Sequence, residues 1–235
     1  MSGRPAAGGG RWVEVDPDRL ARWLDGFAQR HGDPVVSTVD GGVLELAGAD
    51  GARAWCHPPP GAPEPAVGPA AGPAAAGCVA AGLTGLAAAG FVAAAGTPGR
   101  IGLLLARRGA VAVGVVDGDT LVSSKVDSRY VQGRTAAGGW SQQRFARRRD
   151  NQARAAAQDA ADVAAGILLP GAARLAALVT GGDRRAVDAV LADPRLVPVA
   201  ALRAERFLDV PEPKLAVLQA AIRPARAVRI RLVDP

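Results

Sequence analysis

Apolar residues near the start of the chain repeat with the period of an α-helix. Leu20, Trp23, Leu24 and Phe27 are three and four residues apart, and the Asp-Pro pair before them is typical of a helix start. A hairpin is predicted between residues 34 and 47, where two short apolar runs flank an Asp-Gly-Gly turn. The next segment is rich in proline, alanine and glycine and predicts a surface loop.

The pattern is clearest in the middle of the chain. Three apolar runs separated by tight turns predict an antiparallel three-strand meander over residues 101–106, 111–116 and 121–126. A small-residue loop over 133–143 and a helix over about 144–168 follow. One side of that helix is apolar, with Phe145, Ala156, Ala160, Val163 and Ile167.

Strand-like and helix-like segments alternate in the last third of the chain. They are 175–180 (strand), 183–192 (helix), 196–199 (strand), 212–222 (helix) and 227–233 (strand). An alternating order after a meander predicts an α/β fold, a mixed sheet with packed helices. We predict a single domain over residues 11–235 with its core at about 100–233, an N-terminal helix and hairpin extension, and a disordered tail over residues 1–10.

Composition limits the function classes. The chain has 235 residues, and its two cysteines and two histidines show no spacing typical of a zinc site. We therefore predict no metal and no cofactor. No apolar run is long enough for a membrane span, and the start has no apolar signal segment, which predicts a cytoplasmic protein.

The positive charge is concentrated in one segment. Residues 129–154 contain seven arginines and a single acid, so their net charge of +6 equals that of the whole chain. A charge excess in one loop and one helix start indicates a polyanionic partner approached from one side. The alternative is a solvated helix face beside an ordinary loop.

The same segment resembles a known family. The motif Gly138-Gly139-Trp140-Ser141-Gln142-Gln143-Arg144-Phe145-Ala146-Arg147, preceded by Gly133-Arg134, is similar to the catalytic loop and helix of eukaryotic and archaeal class-1 release factors. In that family Gly-Gly-Gln is followed by Ser and then by Arg-Phe-Ala-Arg. Here Trp140 occupies the position of the family's glutamine, and glutamines follow two and three residues later. A displaced glutamine resembles the Vms-like branch, which includes actinobacterial members.

The resemblance implies a ribonuclease-H-like sheet and a peptidyl-tRNA hydrolase that acts on stalled large ribosomal subunits. We expect the protein to be a monomer. Gln142 would orient the attacking water, with Gln143 as the competing candidate, and Gly138, Gly139 and Ser141 would shape the loop. Trp140 would either stack on a terminal adenine or anchor the loop. Arg134, Arg144, Arg147 and Arg148 would bind RNA phosphates, although Arg147 could serve the fold instead.

The sequence leaves two other function classes open. The first is a nuclease that cuts the tRNA end with metal held by Asp117, Asp119 and Asp127, the acids near the central strands. Asp117 and Asp119 flank a turn glycine, where aspartates are also common for backbone reasons. The second is a non-catalytic ribosome-binding module, which would keep the arginines and have no need of the glutamines.

Overall fold

The chain divides into two compact units. The computed structural model describes residues 4–6, 8–65, 86–97, 99–107, 109–128 and 141–235, with only the backbone described at 40, 86 and 141–151. Unit 1 comprises residues 1–99 and 226–235, and unit 2 comprises residues 100–225. The sequence predicted one domain over residues 11–235 with its core at about 100–233, whereas the structure places residues 226–235 with the N-terminal segment in a unit that has a separate sheet and core.

Unit 1 contains a six-stranded antiparallel sheet of order β1-β2-β11-β5-β4-β3. Its strands are β1 (Arg4–Pro5), β2 (Arg11–Val15), β3 (Val35–Val39), β4 (Val43–Ala47), β5 (Arg53–His57) and β11 (Val228–Val233). Two helices, α1 (Pro17–His31) and α2 (Leu86–Gly96), pack on one face and bury Leu24, Phe27 and Phe91 against the sheet. The predicted helix and hairpin are confirmed by α1 and by β3 with β4.

The N-terminal residues and the last strand complete this sheet. Arg4 and Pro5 pair with Trp12 and Arg11 of β2, in a segment for which the sequence predicted a disordered tail. A strand edge offers unpaired N–H and C=O groups, and this pairing satisfies some of them. Strand β11 lies between β2 and β5, so the C-terminus supplies a central strand.

Unit 2 contains a mixed five-stranded sheet of order β10-β9-β6-β7-β8. Its strands are β6 (Ile101–Arg107), β7 (Ala110–Asp117), β8 (Thr120–Ser128), β9 (Ala177–Gly182) and β10 (Arg203–Leu208). Strands β6, β7 and β8 form the predicted antiparallel meander, while β9 and β10 are parallel to β6. The predicted mixed α/β sheet with an antiparallel meander is therefore confirmed.

Helices cover both faces of the unit 2 sheet. They are α3 (Ser141–Leu168), α4 (Arg184–Leu191), α5 (Val197–Ala200) and α6 (Leu215–Arg226). One core joins α3, α4 and α5 to a face that includes Leu104 and Val113. A second core joins α6 to the opposite face, which includes Leu103 and Val179. Burial on both faces explains why the central strands are almost continuously apolar.

One predicted strand is wrong, and one strand was not predicted. The predicted strand at 196–199 is instead a 3₁₀ turn over Pro194–Leu196 that leads into α5, because prolines at 194 and 198 suit the first turns of helices. Strand β10, which pairs with β9 on the side away from β6, was not predicted, because three of its six residues are charged. No helix of the described residues has the length and hydrophobicity needed to cross a membrane.

Candidate nucleic-acid interface

Helix α3 begins at Ser141, three residues earlier than the sequence predicted. Its first turn therefore consists of Ser141, Gln142 and Gln143, which the sequence had placed in the loop. Serine is a common helix-start residue and glutamine is a good helix former, so the earlier start agrees with local preferences. The predicted site residues Arg134, Gly138, Gly139 and Trp140 lie outside the described residues.

The predicted arginines occupy the next two turns of α3. Positions 144, 147 and 148 are three and four residues apart on a continuous helix, so their backbone positions fall on one side of its axis. Arg154 lies two turns beyond position 147 on that same side and is exposed. The exposed side chain of Arg154 indicates that this side of α3 faces solvent at residue 154, close to the residues for which only the backbone is described.

The opposite side of α3 fixes the helix to the sheet. Ala160, Val163, Ala164 and Leu168 are buried in the core shared with β6, β7 and α4. The predicted apolar side is thus confirmed for its described members, while Phe145 lies among the residues whose side chains are not described. Burial of this stripe orients the first turns of α3 relative to the meander.

Polar contacts anchor the C-terminal half of α3 to the segment before α5. Arg195 donates to Asp193 with its Nε at 2.9 Å and its Nη2 at 2.7 Å, and to Asp162 of α3 with its Nη2 at 2.6 Å. Gln158 of α3 donates to Asp193 at 3.2 Å. The side chain and then the backbone N–H of Arg195 hold the pKa of Asp193 well below its ordinary range.

Stability should therefore depend on Asp193 in a defined pH range. A lowered folded-state pKa stabilises the fold above the unfolded pKa, about 3.9, and this stabilisation is lost as the pH falls further. We expect Asp193→Asn to lower the melting temperature at pH 7, and the difference from the parent chain to shrink below about pH 4. Melting curves of both proteins from pH 7 to pH 3 measure this.

Asp209→Asn provides the matched control. Asp209 is exposed and has no ion pair among the described residues, so its replacement should change the melting temperature little at any pH. A difference between parent and Asp193→Asn that stays constant down to pH 3 would contradict an ionic role for Asp193.

A small apolar cleft lies between α3, α4 and the turn from β6 to β7. Its volume is about 280 Å³, and alanines of the two helices and of β6 and β7 form most of its wall. Of its polar lining, Asp183 accepts from the backbone of Arg185 and Ala186 at 2.8 and 3.1 Å as the cap of α4, and Arg107 donates to the carbonyl of Val210 at 2.8 Å. Asp183 and Arg107 are thus engaged in hydrogen bonds that stabilise the fold, so neither is available for acid or base catalysis in the cleft.

The acids considered for a nuclease are far apart or engaged. Asp117 pairs with Arg100, whose Nε donates to it at 3.1 Å. Asp127 lies opposite Val111, at the other end of the β7–β8 pair and roughly 20 Å from Asp117 by strand rise. Among the described residues, no group of three His, Cys, Asp or Glu side chains could hold a metal ion. Only Asp117 and Asp119, on either side of the turn glycine between β7 and β8, are neighbours, so the three aspartates do not form a common site.

The described cysteine is also unsuited to catalysis. Cys56 lies on β5 with its side chain fully buried in the core of unit 1. Burial raises the pKa of the Cys56 thiol, because a thiolate is poorly solvated there. Its neighbour His57 points to the opposite face of the sheet, beside Trp12. Cys56 and His57 are neighbours in sequence, but the alternation of side chains along the strand places them on opposite faces.

Comparison with known proteins agrees with the release-factor resemblance. Residues 99–231 match the family described as "Actinobacteria/chloroflexi VLRF1 release factor". Two similar solved structures are an archaeal translation termination factor, aRF1, at 18% identity and a TM-score of 0.38, and an archaeal protein at 19% and 0.36. They cover 54% and 52% of this chain, which in turn spans 34% and 32% of theirs. No curated protein matches the sequence.

Proposed function

Since the chain belongs to the Actinobacteria/Chloroflexi VLRF1 release-factor family, we propose that it is a cytoplasmic peptidyl-tRNA hydrolase that frees nascent peptides from stalled large ribosomal subunits. The family match covers more than half of the chain and includes the Gly-Gly loop, all of α3 and the meander. The start of α3 directly after Gly138-Gly139-Trp140 is the observation that carries the proposal. We also propose a ribonuclease-H-like sheet, which the three antiparallel strands followed by two parallel ones support.

The chemistry needs a positioned water and a stabilised oxyanion. The peptide is joined to the tRNA by an ester, and attack of water on its carbonyl carbon forms a tetrahedral oxyanion before the C–O bond to the ribose breaks. Gln142 would orient the water through its amide, with Gln143 as the competing candidate. The first N–H groups of a helix have no partner within the helix, and they favour negative charge. A catalytic residue in the first turn of α3 would act beside such donors.

The loop and the arginines would bring this turn to its substrate. Gly138 and Gly139 lack side chains, which would let the loop enter a narrow cavity walled by RNA. Trp140 would stack on the terminal adenine or anchor the loop. Arg134 and the arginines of the next turns would bind phosphates of the tRNA acceptor end or of ribosomal RNA. Ser141 would contribute to the start of the helix.

The products of one reaction test the proposal directly. Ester hydrolysis leaves a tRNA with an intact 3′ end and a peptide with a free carboxylate, whereas a nuclease leaves a shortened tRNA and a peptide still esterified to nucleotides. We expect mass spectrometry of the products from peptidyl-tRNA on large subunits to show the intact tRNA. A shortened tRNA would establish the nuclease, and tight binding without release would establish a non-catalytic module.

The arginines of α3 should control the salt dependence of binding. Replacing Arg144, Arg147 and Arg148 with alanine should weaken binding to large subunits and to tRNA. Each lost phosphate contact should reduce the slope of log affinity against log salt by about 0.7 to 0.9, because fewer counterions are released. Affinity titrations at several salt concentrations measure the slope.

A second triple variant on α1 controls for net charge. Arg19, Arg22 and Arg30 are exposed and have no ion pair among the described residues, so replacing them removes the same charge elsewhere. This variant should keep the parent slope. Equal slopes for the parent and the α3 variant would show that the cluster is a solvated face.

A further inference from the structure

One face of the unit 1 sheet, here called the open face, alternates arginine with tryptophan, and no helix of the described residues packs on it. The opposite face is buried under α1 and α2, with Val13, Cys56 and Ile230 in the core. On the open face, strand register joins one row across all six strands, each residue paired with the next. The row is Arg4, Trp12, Arg231, Trp55, Glu45 and Ser37. Trp12 of β2 and Trp55 of β5 thus lie on either side of Arg231, which belongs to the strand between them, β11.

The rings and guanidinium groups of this face lie against one another. The guanidinium carbon of Arg229 is 4.4 Å from the ring centre of Trp12, and that of Arg231 is 5.2 Å from the ring centre of Trp55. The ring centres of Trp12 and His57 are 5.3 Å apart. Both tryptophans remain partly exposed. Such contacts hold the tryptophan rings in place. Less side-chain conformational entropy is therefore lost when a ligand stacks on them.

Among the described residues of this face, basic groups outnumber acidic groups. Arg4, Arg53, Arg229 and Arg231 lie there with Glu14 and Glu45. Arg53 is 58% exposed and its nearest carboxylate oxygen, on Glu45, is 3.6 Å away. Arg229 lies directly opposite Glu14, yet it makes no hydrogen bond or ion pair with any described residue, and its Nε is buried. A positive face with flat rings complements a polyanion that carries flat bases.

We propose that this open face, the row from Arg4 to Ser37 together with Arg53, His57 and Arg229, binds a segment of single-stranded RNA. Bases stack on Trp12 and Trp55, and Arg53 and Arg4 contact the phosphates on either side. The two tryptophan strands are two strand spacings apart, roughly 10 Å. Arg231 lies between them, held by hydrogen bonds from its Nη2 to the carbonyl of Gly8 at 2.7 Å and from its Nε to that of Gly9 at 3.3 Å, so it separates the two stacked bases. Sheets with aromatic residues on central strands, and platforms of aromatics with arginine, bind single strands in this manner.

Stacking explains why the partner is RNA rather than an acidic peptide. Any polyanion would complement the positive charge of this face, but each base has a π-face that a carboxylate lacks. The surface lies on β2, β5 and β11 and is separate in sequence from the arginines of α3. It gives unit 1 an RNA contact of its own, and this proposal does not depend on whether the chain is a hydrolase.

The test measures binding of a fluorescent single-stranded RNA dodecamer to the full chain by anisotropy. It uses a background with Arg144, Arg147 and Arg148 replaced by alanine, so that binding through α3 is removed. Trp12→Leu/Trp55→Leu, which keeps apolar bulk without a ring, should weaken binding by about 10-fold or more per ring. Trp12→Phe/Trp55→Phe should keep most of the affinity because phenylalanine also stacks. The exposed Arg53→Ala should lower the salt slope by about 0.7.

Controls separate stacking from unfolding and from charge. Trp23→Leu, on α1, removes a tryptophan from the other side of the sheet and should leave RNA affinity unchanged. Poly-glutamate of the same length should compete poorly with the RNA. Parent affinity in a folded Trp12→Leu/Trp55→Leu protein, or a parent salt slope in Arg53→Ala, would overturn the proposal. Equal competition by poly-glutamate would overturn it as well and assign the face to an acidic protein partner.

Discussion

Replacing Gln142 with alanine should slow peptide release from large-subunit peptidyl-tRNA by about 100-fold or more, which is the scale of one lost transition-state contact. The alanine side chain has no amide with which to orient the water, while the loop and the arginines stay in place. Binding should therefore change little. Single-turnover release, measured with saturating protein so that binding does not limit the rate, isolates the chemical step.

Two further variants define the assignment. Gln152→Ala removes a glutamine from the same helix almost three turns downstream and should leave the release rate unchanged. Gln143→Ala should also be close to the parent rate. A slow Gln143→Ala with a normal Gln142→Ala would move the catalytic role by one residue. Normal release by the double variant would remove glutamine from the mechanism.

Gly182→Ala should destabilise unit 2 by about 2–5 kcal/mol, from the combined cost of strain and overlap. The backbone of Gly182 has a φ of +99°, a region that side chains disfavour, and a Cβ there would lie 2.4 Å from the carbonyl oxygen of Ala106. That oxygen also accepts from the N–H of Asp183 at 2.8 Å, which fixes the start of α4. Urea unfolding of the two proteins measures the difference.

Gly166→Ala is the matched control, because it makes the same chemical change with the opposite expected sign. Gly166 lies exposed inside α3, and a Cβ there would meet nothing within 4 Å. Alanine should stabilise the helix by about 0.5–1 kcal/mol relative to glycine. If Gly182→Ala unfolded at the same urea concentration as the parent, the close approach of β9 to β6 would not be rigid.

Local signals in the sequence were sufficient to predict several helices and strands. The three strands of the meander lie within two residues of their predicted bounds because apolar runs and tight turns are both short-range features. Helix α1 follows its Asp-Pro start and its apolar stripe in the same way. The family match was also predicted, since the Arg-Phe-Ala-Arg motif and the Gly-Gly pair can be read without a structure.

Interactions between distant residues decided the rest. Strand β10 was missed because it contains Arg206, which reads as a surface residue. In the structure Arg206 is buried, and its guanidinium donates to the carbonyls of Pro224 and Ala225 at 3.0 and 3.1 Å, near the end of α6. A buried charge is tolerated when such hydrogen bonds replace water, and no pattern along the chain reveals them.

The candidate site divides in the same way. The sequence by itself determined which glycines, glutamines and arginines belong to the candidate site, because the motif is continuous. Only the tertiary structure decided that the glutamines belong to the first turn of α3 and that the apolar side of this helix is held by the sheet. Likewise, Trp12, Trp55 and Arg231 are far apart along the chain, and they share one face only because β11 pairs with both β2 and β5. Strand pairing depends on contacts between residues at opposite ends of the chain, so periodicity within one segment cannot specify it.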